Sequence, residues 1–139
     1  MHGGNILPSK GNVFISIDDG NKEGIISTAR KLLDMKFNLI ATKGTAKYLN
    51  DNNIKAQQIN KVKEGSPHIV DSLINNKIDL VINTTKSQSS IKDSYSIRRT
   101  SLMYNIPYYT TIAGAKIAVD AIEHMEKNGF KIKSLQSPN

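Results

Sequence analysis

The sequence predicts an α/β fold in which five parallel strands form one sheet with helices on both faces. Short apolar runs alternate with segments of helical periodicity along the whole chain, which is typical of parallel strands joined by right-handed crossovers. The length of 139 residues and the apolar fraction of 38% suit one domain with one core. Polar residues end the apolar runs abruptly, which is typical of buried strands that open onto a ligand site.

The first half of the chain predicts three strands and two helices. Residues 11–17 form an apolar run that predicts the first strand. Residues 22–36 carry apolar side chains at intervals of three and four, which predicts the first helix. A second strand is predicted over 37–42, a short second helix over 45–52 and a weaker third strand over 54–59.

The second half predicts three helices and two strands. Ser66 followed by Pro67 is typical of a helix N-cap and first turn, and apolar residues at helical spacing follow them. A polar loop is predicted over 87–93. The remaining elements are a fourth strand over 79–84, a fourth helix over 94–104, a fifth strand over 106–111 and a final helix over 113–127.

The pattern places one domain over residues 11–127. Residues 1–10 lack periodicity and are predicted to be a lead-in, and residues 128–139 a frayed tail. The first four residues do not resemble a signal peptide, and no apolar stretch approaches the length of a membrane span. The absence of cysteine fits a reducing cytoplasm. We therefore predict a cytoplasmic location and no membrane partner.

The net charge of +7 favours an acidic partner, such as a phosphorylated metabolite, a nucleic acid or an acidic protein face. The lysines are scattered, tryptophan is absent and aromatic residues make up only 6% of the chain. These features argue against a nucleic-acid partner. The base composition of an AT-rich genome is an equally simple source of the lysines.

Four of the five predicted strand ends carry hydroxyl, amide or lysine donors. Ligands of open parallel sheets bind beyond these carboxyl ends, so the donors predict a binding site there. The strand-end residues are Asp18 and Asp19, then Thr42, Gly44 and Thr45, then Asn60 and Lys61, then Asn83, Thr84 and Thr85, and finally Thr110 and Thr111.

Two of these strand ends favour an anion. In Thr42-Lys43-Gly44-Thr45 the glycine lets the backbone approach a phosphate, and the following helix presents unpaired N–H groups. A plain helix N-cap is the alternative for Thr42. Asn83-Thr84-Thr85 ends a buried strand with three side chains that need hydrogen-bond partners, which a turn could also supply.

No pattern of catalytic or metal-binding residues stands beside these strand ends. The chain has no Walker A loop, no G-x-G-x-x-G and no nucleophile elbow. Its three histidines lie far apart, without ligand spacing. We therefore predict no catalytic residue and no metal site, and a pocket that senses its ligand.

Four motifs in register resemble a known family. They are ATKGTA at 41–46, KVKEGSPHIVD at 61–71, INTT at 82–85 and DSYSIRR at 93–99. Together they are similar to the C-terminal regulatory domain of the carbamoyl-phosphate synthase large subunit, over nearly all of residues 11–126. The resemblance implies the methylglyoxal-synthase-like fold, a Rossmann-like three-layer sandwich with a five-stranded parallel sheet.

The resemblance also implies a function. Enzymes of this family make carbamoyl phosphate from bicarbonate, glutamine-derived ammonia and ATP with Mg²⁺ or Mn²⁺ and K⁺, for pyrimidine and arginine synthesis. Their C-terminal domain needs no cofactor, binds UMP or IMP at overlapping sites and contributes to activation by ornithine. The implied protein partners are the synthetase domains of the same subunit and the glutaminase small subunit.

Carried over by motif, the resemblance assigns three groups of residues. The effector phosphate falls on Lys22, Thr42, Thr45, Lys61 and Thr85. The nucleoside falls on Asn83, Thr84, Ser94 and Ile97. Tyr108 and Thr110 fall on the ornithine side.

Two departures from the wider family bear on activity. The chain contains no ATP-grasp synthetase domain, so we expect no carbamoyl phosphate synthesis from it alone. Methylglyoxal synthase requires an aspartate near the start of the third helix, where this chain reads Gly65-Ser66-Pro67-His68 with no carboxylate until Asp71. A methylglyoxal-synthase-type lyase acting on a triose phosphate is thus the alternative, and a docking module with a vestigial pocket is a third.

Overall fold

A computed structural model describes residues 10–60, 68–84 and 91–127, without the side chains of 91–93. The strands are β1 (Asn12–Ser16), β2 (Asn38–Ala41), β3 (Gln57–Gln58), β4 (Leu80–Asn83) and β5 (Tyr108–Tyr109). The helices are α1 (Lys22–Asp34), α2 (Lys43–Asp51), α3 (Ile69–Ile74), α4 (Ile91–Met103) and α5 (Ile112–Lys127), and a 3₁₀ turn covers Asp19–Asn21.

The described strands form one parallel sheet in the order β3-β2-β1-β4-β5. In this order β1 is central, with Ile15 opposite Ala41 of β2 and Ser16 opposite Asn83 of β4. The chain adds β2 and β3 on one side of β1 and then returns to add β4 and β5 on the other side. The direction in which strands are added therefore reverses between β1 and β4. Ligand crevices of doubly wound sheets lie at such a reversal.

Two apolar clusters, one on each face of the sheet, make up the core. On one face, Val13, Ile15 and Ile17 pack with side chains of α1, α2 and α5. On the other face, Phe14 and Val81 pack with α3 and α4. Alternate residues of β1 therefore point to opposite clusters, as expected for a strand buried on both faces. The three-layer α/β sandwich predicted from the sequence is confirmed.

Four helices in the described part end in the same way. The second residue after each of α1 to α4 has a positive φ; these residues are Lys36 (75°), Asn53 (64°), Asn76 (58°) and Asn105 (58°). The next residue donates its N–H back into the helix, as Phe37 does to the Leu32 carbonyl at 3.0 Å. This is the Schellman motif, and it turns the chain sharply toward the following strand.

Several boundaries differ from those predicted. β3 has only two residues instead of six, and β5 likewise has two. α4 begins at Ile91, so the last three residues of the predicted loop over 87–93 are helical. Leu102 and Met103, apolar residues in the last turn of α4, are exposed. Among the described residues, no helix combines the length and apolarity needed to cross a membrane.

Candidate functional site

The carboxyl ends of β1, β2 and β4 meet at the reversal of strand order. β1 ends at Ser16, between the ends of β2 at Ala41 and of β4 at Asn83. The Thr84 N–H donates to the Ser16 carbonyl at 3.0 Å, which continues the pairing of β1 and β4 to the last residue. Polar residues that lie far apart in sequence are thereby brought to one edge of the sheet.

A buried cluster of hydroxyls joins β1, β2 and α2. Thr42 Oγ1 lies 3.3 Å from Ser16 Oγ and 3.4 Å from Thr45 Oγ1. Thr45 Oγ1 in turn accepts the Ile17 N–H at 3.0 Å. Thr42 stands at the N-cap of α2 with an extended backbone, yet its side chain makes no capping hydrogen bond. The simple N-cap interpretation of Thr42 is therefore incomplete, because its hydroxyl is held toward the strand ends.

Lys22 brings a positive charge to the start of α2. Its side chain is only 18% exposed and forms an ion pair with Asp19, which is 96% exposed. A Cβ placed on Gly44, in the first turn of α2, would lie 3.7 Å from Lys22 Nζ. The lysine ammonium thus sits over the N-terminal turn of the helix. A cation beside unpaired helix N–H groups favours an anion between them.

On the other side of β1, Thr84 and Asp18 form a close pair. The Thr84 hydroxyl donates to Asp18 Oδ1 at 2.6 Å, and the Asp18 N–H lies 3.2 Å from Thr84 Oγ1. The Asn21 amide donates to the same Asp18 oxygen at 2.8 Å. Asp18 is therefore bound into the loop after β1 and fixes the position of that loop against the end of β4.

Asn83 joins β4 to α4 and β5. Its amide lies 3.3 Å from Ser94 Oγ and donates to Tyr108 Oη at 3.2 Å. Burial raises the pKa of the Tyr108 phenol, and the bond from Asn83 and the charge of Arg98 act against that rise. Residues assigned to the nucleoside side and to the ornithine side thus share a direct contact.

The structure brings most of the predicted residues to this edge. Lys22, Thr42 and Thr45 lie on the β2 side, and Asn83, Thr84, Ser94 and Tyr108 on the β4 side. Ile97 is 4% exposed and packs in the cluster with Phe14, whereas Thr110 is exposed just after β5. Lys61 and Thr85 lie outside the described residues.

Ser16 was missed by sequence reasoning. It is 8% exposed and contacts the Thr42 hydroxyl. A signal was present in the sequence, because Ser16 is a hydroxyl residue at the end of an otherwise apolar strand. The strand is apolar on both faces, so alternation of inward and outward side chains does not account for the serine.

The arrangement supplies hydroxyl donors, an amide, a lysine and a helix N-terminus, and this donor set suits a phosphate or another oxyanion. Among residues 10–60, 68–84 and 91–127, no three His, Asp or Glu side chains come together as metal ligands would. The carboxylates at this edge are engaged, Asp18 by Thr84 and Asn21 and Asp19 by Lys22. The geometry supports binding of an anion.

Comparison with known protein families places residues 24–110 in the MGS-like domain family. The chain is 47% identical over 130 residues to the carbamoyl phosphate synthase large chain of Myxococcus xanthus and 45% identical over 130 residues to that of Brucella suis. Each match covers 94% of this chain and 12% or 11% of the relative. The chain thus spans about an eighth of the length of these curated relatives.

A shorter relative locates the similarity within the synthase. The carbamoyl phosphate synthase large chain, C-terminal section, of Methanopyrus kandleri is 44% identical over 133 residues, which is 95% of this chain and 24% of the relative. The similarity is therefore to the C-terminal section of the large chain, as the sequence motifs predicted.

Among solved structures, methylglyoxal synthase from Elizabethkingia anophelis has the same fold. The two superpose with a TM-score of 0.67 over 81% of this chain and 79% of the other, at 21% sequence identity. This match confirms the methylglyoxal-synthase-like architecture.

Proposed function

Because the chain belongs to the MGS-like domain family, we propose that it is the regulatory domain of a carbamoyl phosphate synthase large chain. In this proposal it binds a nucleotide monophosphate, UMP or IMP, at the carboxyl edge of its sheet. The similarity to large chains over 94% of this sequence supports that context. The synthase acts in pyrimidine and arginine synthesis in the cytoplasm, with a glutaminase small subunit as partner.

One observation carries the proposal: a lysine and a hydroxyl cluster converge on the N-terminal turn of α2. Lys22 Nζ approaches Gly44, and Thr42 lies 3.3 Å from Ser16 rather than capping the helix. A phosphate in this space would accept hydrogen bonds from the hydroxyls and helix N–H groups and would compete with the exposed Asp19 carboxylate for the lysine. Lys61 and Thr85 would complete the phosphate site.

The nucleoside would lie toward β4 and α4 and would contact Asn83, Thr84, Ser94 and Ile97. Asn83 also contacts Tyr108, which we assign with Thr110 to the ornithine side. A shared hydrogen-bond partner offers a route by which one effector changes the affinity for the other. Regulation then requires that the effector bind two arrangements of the domain with different affinity.

Isothermal titration calorimetry of the 139-residue chain with UMP and IMP tests the proposal. We expect saturable binding that Lys22→Gln weakens at least tenfold, because the lysine would face the phosphate directly. Lys55→Gln is the matched control, since Lys55 is an exposed lysine beyond α2 and the same charge is removed. No binding at millimolar nucleotide, or equal weakening by both variants, would overturn the phosphate assignment.

The same protein should be incubated with dihydroxyacetone phosphate to test the lyase alternative. We expect no methylglyoxal above that formed without protein, because the carboxylates described at this edge are held by other side chains. Catalysed methylglyoxal formation would show that the pocket transforms its ligand, and would replace the regulatory function.

A further inference from the structure

Helix α4 has two faces of different character. Ser94, Ile97 and Ser101 repeat at helical spacing and face the sheet; Ile97 and Ser101 are 4% and 0% exposed. On the opposite side, Tyr95 and Met103 are both 65% exposed and Leu102 is 62% exposed. Large apolar side chains thus occur on both sides of the helix, and the fold buries only those that face the sheet.

We propose that this outer face of α4, formed by Tyr95, Arg98, Arg99, Leu102 and Met103, docks onto the remainder of the large chain. The inference rests on the proposed function, because it identifies the partner as the rest of a carbamoyl phosphate synthase. The docking face of that partner is acidic at its rim and apolar at its centre.

The composition of the outer face is that of an interface. Positions 95, 99, 102 and 103 fall on one stripe of a helix, with Arg98 beside it. Tyrosine, arginine and methionine are enriched in protein interfaces relative to the remaining surface. Leu102 and Met103 are adjacent, and Tyr95 lies about two turns away on the same stripe. Together they expose large side chains that a monomeric domain has reason to cover.

The charge of the face specifies the partner. From Tyr95 to Met103 the helix contains two arginines and no Asp or Glu. Neither Arg98 nor Arg99 forms an ion pair with another described residue, whereas Lys31, Lys47 and Lys116 each do. An acidic rim on the partner would pair the two guanidinium groups, for which the described residues supply no carboxylate.

A second copy of the chain is a poor occupant. In a two-fold dimer the same patch meets itself, so the arginines of both copies would approach one another with no carboxylate on the stripe to separate them. The rest of the large chain is the better candidate by size. The relatives are about eight times longer than this chain, and most of their surface is available to supply the acidic face.

The placement of α4 connects docking with the effector site. Ser94 contacts Asn83 at 3.3 Å from the inner side of the helix, while Tyr95, the next residue, faces outward. A ligand that changes the contact at Ser94 would therefore move a helix whose opposite side is held by the synthase. The position of α4 can therefore respond both to a ligand in the effector site and to docking on its outer face.

Photo-crosslinking in cells that carry this sequence tests the docking surface. The photoreactive residue p-benzoylphenylalanine replaces Leu102, and cross-linked peptides are identified by mass spectrometry. We expect a cross-link to an Asp- or Glu-containing peptide of the carbamoyl phosphate synthase large chain, outside these 139 residues. The control position is Ile117, an isolated apolar side chain on α5 that is 71% exposed, which should give at most a fifth of that yield.

Three outcomes would overturn the inference. These are a cross-link between Leu102 and a second copy of the chain, a cross-link to an unrelated protein, or equal yields from Leu102 and Ile117.

The double variant Arg99→Glu with Leu102→Ser provides a second test. It should reduce the effect of UMP on the assembled synthase at least fivefold while changing the UMP dissociation constant of the 139-residue chain less than twofold. If the unmodified chain does not bind UMP, that result counts against the proposed function. It leaves the docking test readable, since the cross-link forms with or without nucleotide.

Discussion

Replacing Gly44 by alanine should raise the stability of the fold and lower its affinity for a phosphate ligand. Gly44 is the second residue of α2, and among described glycines only Gly11 has a positive φ. A Cβ at position 44 would meet one neighbour within 4 Å, Lys22 Nζ at 3.7 Å, which is ordinary van der Waals contact. The methyl group therefore fits the protein but fills the space proposed for the anion.

The two effects have opposite signs and calculable sizes. Gly→Ala within a helix stabilises by roughly 0.5–1 kcal/mol, which for a domain of this size raises Tm by about 2–4 °C. Loss of one hydrogen bond between a charged anion and its donor costs about 1.5–3 kcal/mol, equivalent to a dissociation constant roughly 10- to 150-fold larger.

Thermal unfolding followed by circular dichroism gives the first quantity, and calorimetric titration with UMP gives the second. Ser27→Ala is the matched control, because Ser27 is exposed on α1, away from the strand ends. It should raise Tm slightly and leave UMP binding unchanged. If Gly44→Ala binds UMP within twofold of the original protein, the phosphate does not lie between Lys22 and α2.

Thr84→Val should lower the free energy of unfolding by about 2 kcal/mol in urea titrations, because it removes a buried hydroxyl bonded to Asp18 at 2.6 Å; a loss below about 0.5 kcal/mol would show that this pair does not hold the β1 loop. Burial raises the pKa of Tyr108 and Tyr109 above the usual 10.0, so the folded state holds these protons more tightly than the unfolded state. Their contribution is fully present below pH 10 and is lost as the pH rises through the folded pKa. The urea midpoint should therefore fall less between pH 9 and 11 in Tyr108→Phe than in the original protein, and an equal or steeper fall would contradict this.

The central strands were predictable because their sequences alone demand burial. Residues 13–15 and 80–82 are consecutive apolar residues, which only a strand covered on both faces accommodates. β3 was not predictable in length, because Gln57 and Gln58 form a strand only through pairing with β2, a non-local contact. In α4, Ile97, Leu102 and Met103 are all apolar, and periodicity does not tell which of two apolar faces meets the sheet.

The candidate site was predictable as a set of strand ends but not as a network. Parallel strands bring their carboxyl ends to one edge, so Thr42 and Thr84 were expected to contribute to a site at that edge. The pairing of Thr84 with Asp18 and of Asn83 with Tyr108 joins residues 66 and 25 positions apart, respectively. Such contacts depend on strand order and side-chain direction, which the local pattern does not contain.

The four Schellman ends of α1 to α4 have a consequence for how this domain can change over evolutionary time. Each lies where a helix leads into a strand, and therefore at the amino edge of the sheet, whereas the candidate site occupies the carboxyl edge. The left-handed positions are held by Lys36 and three asparagines rather than by glycine, which adopts that conformation with less strain. Substitutions there can adapt the domain to a warmer or colder host while its ligand preference stays the same. Stability and ligand preference are thus free to evolve separately, at opposite edges of a single sheet.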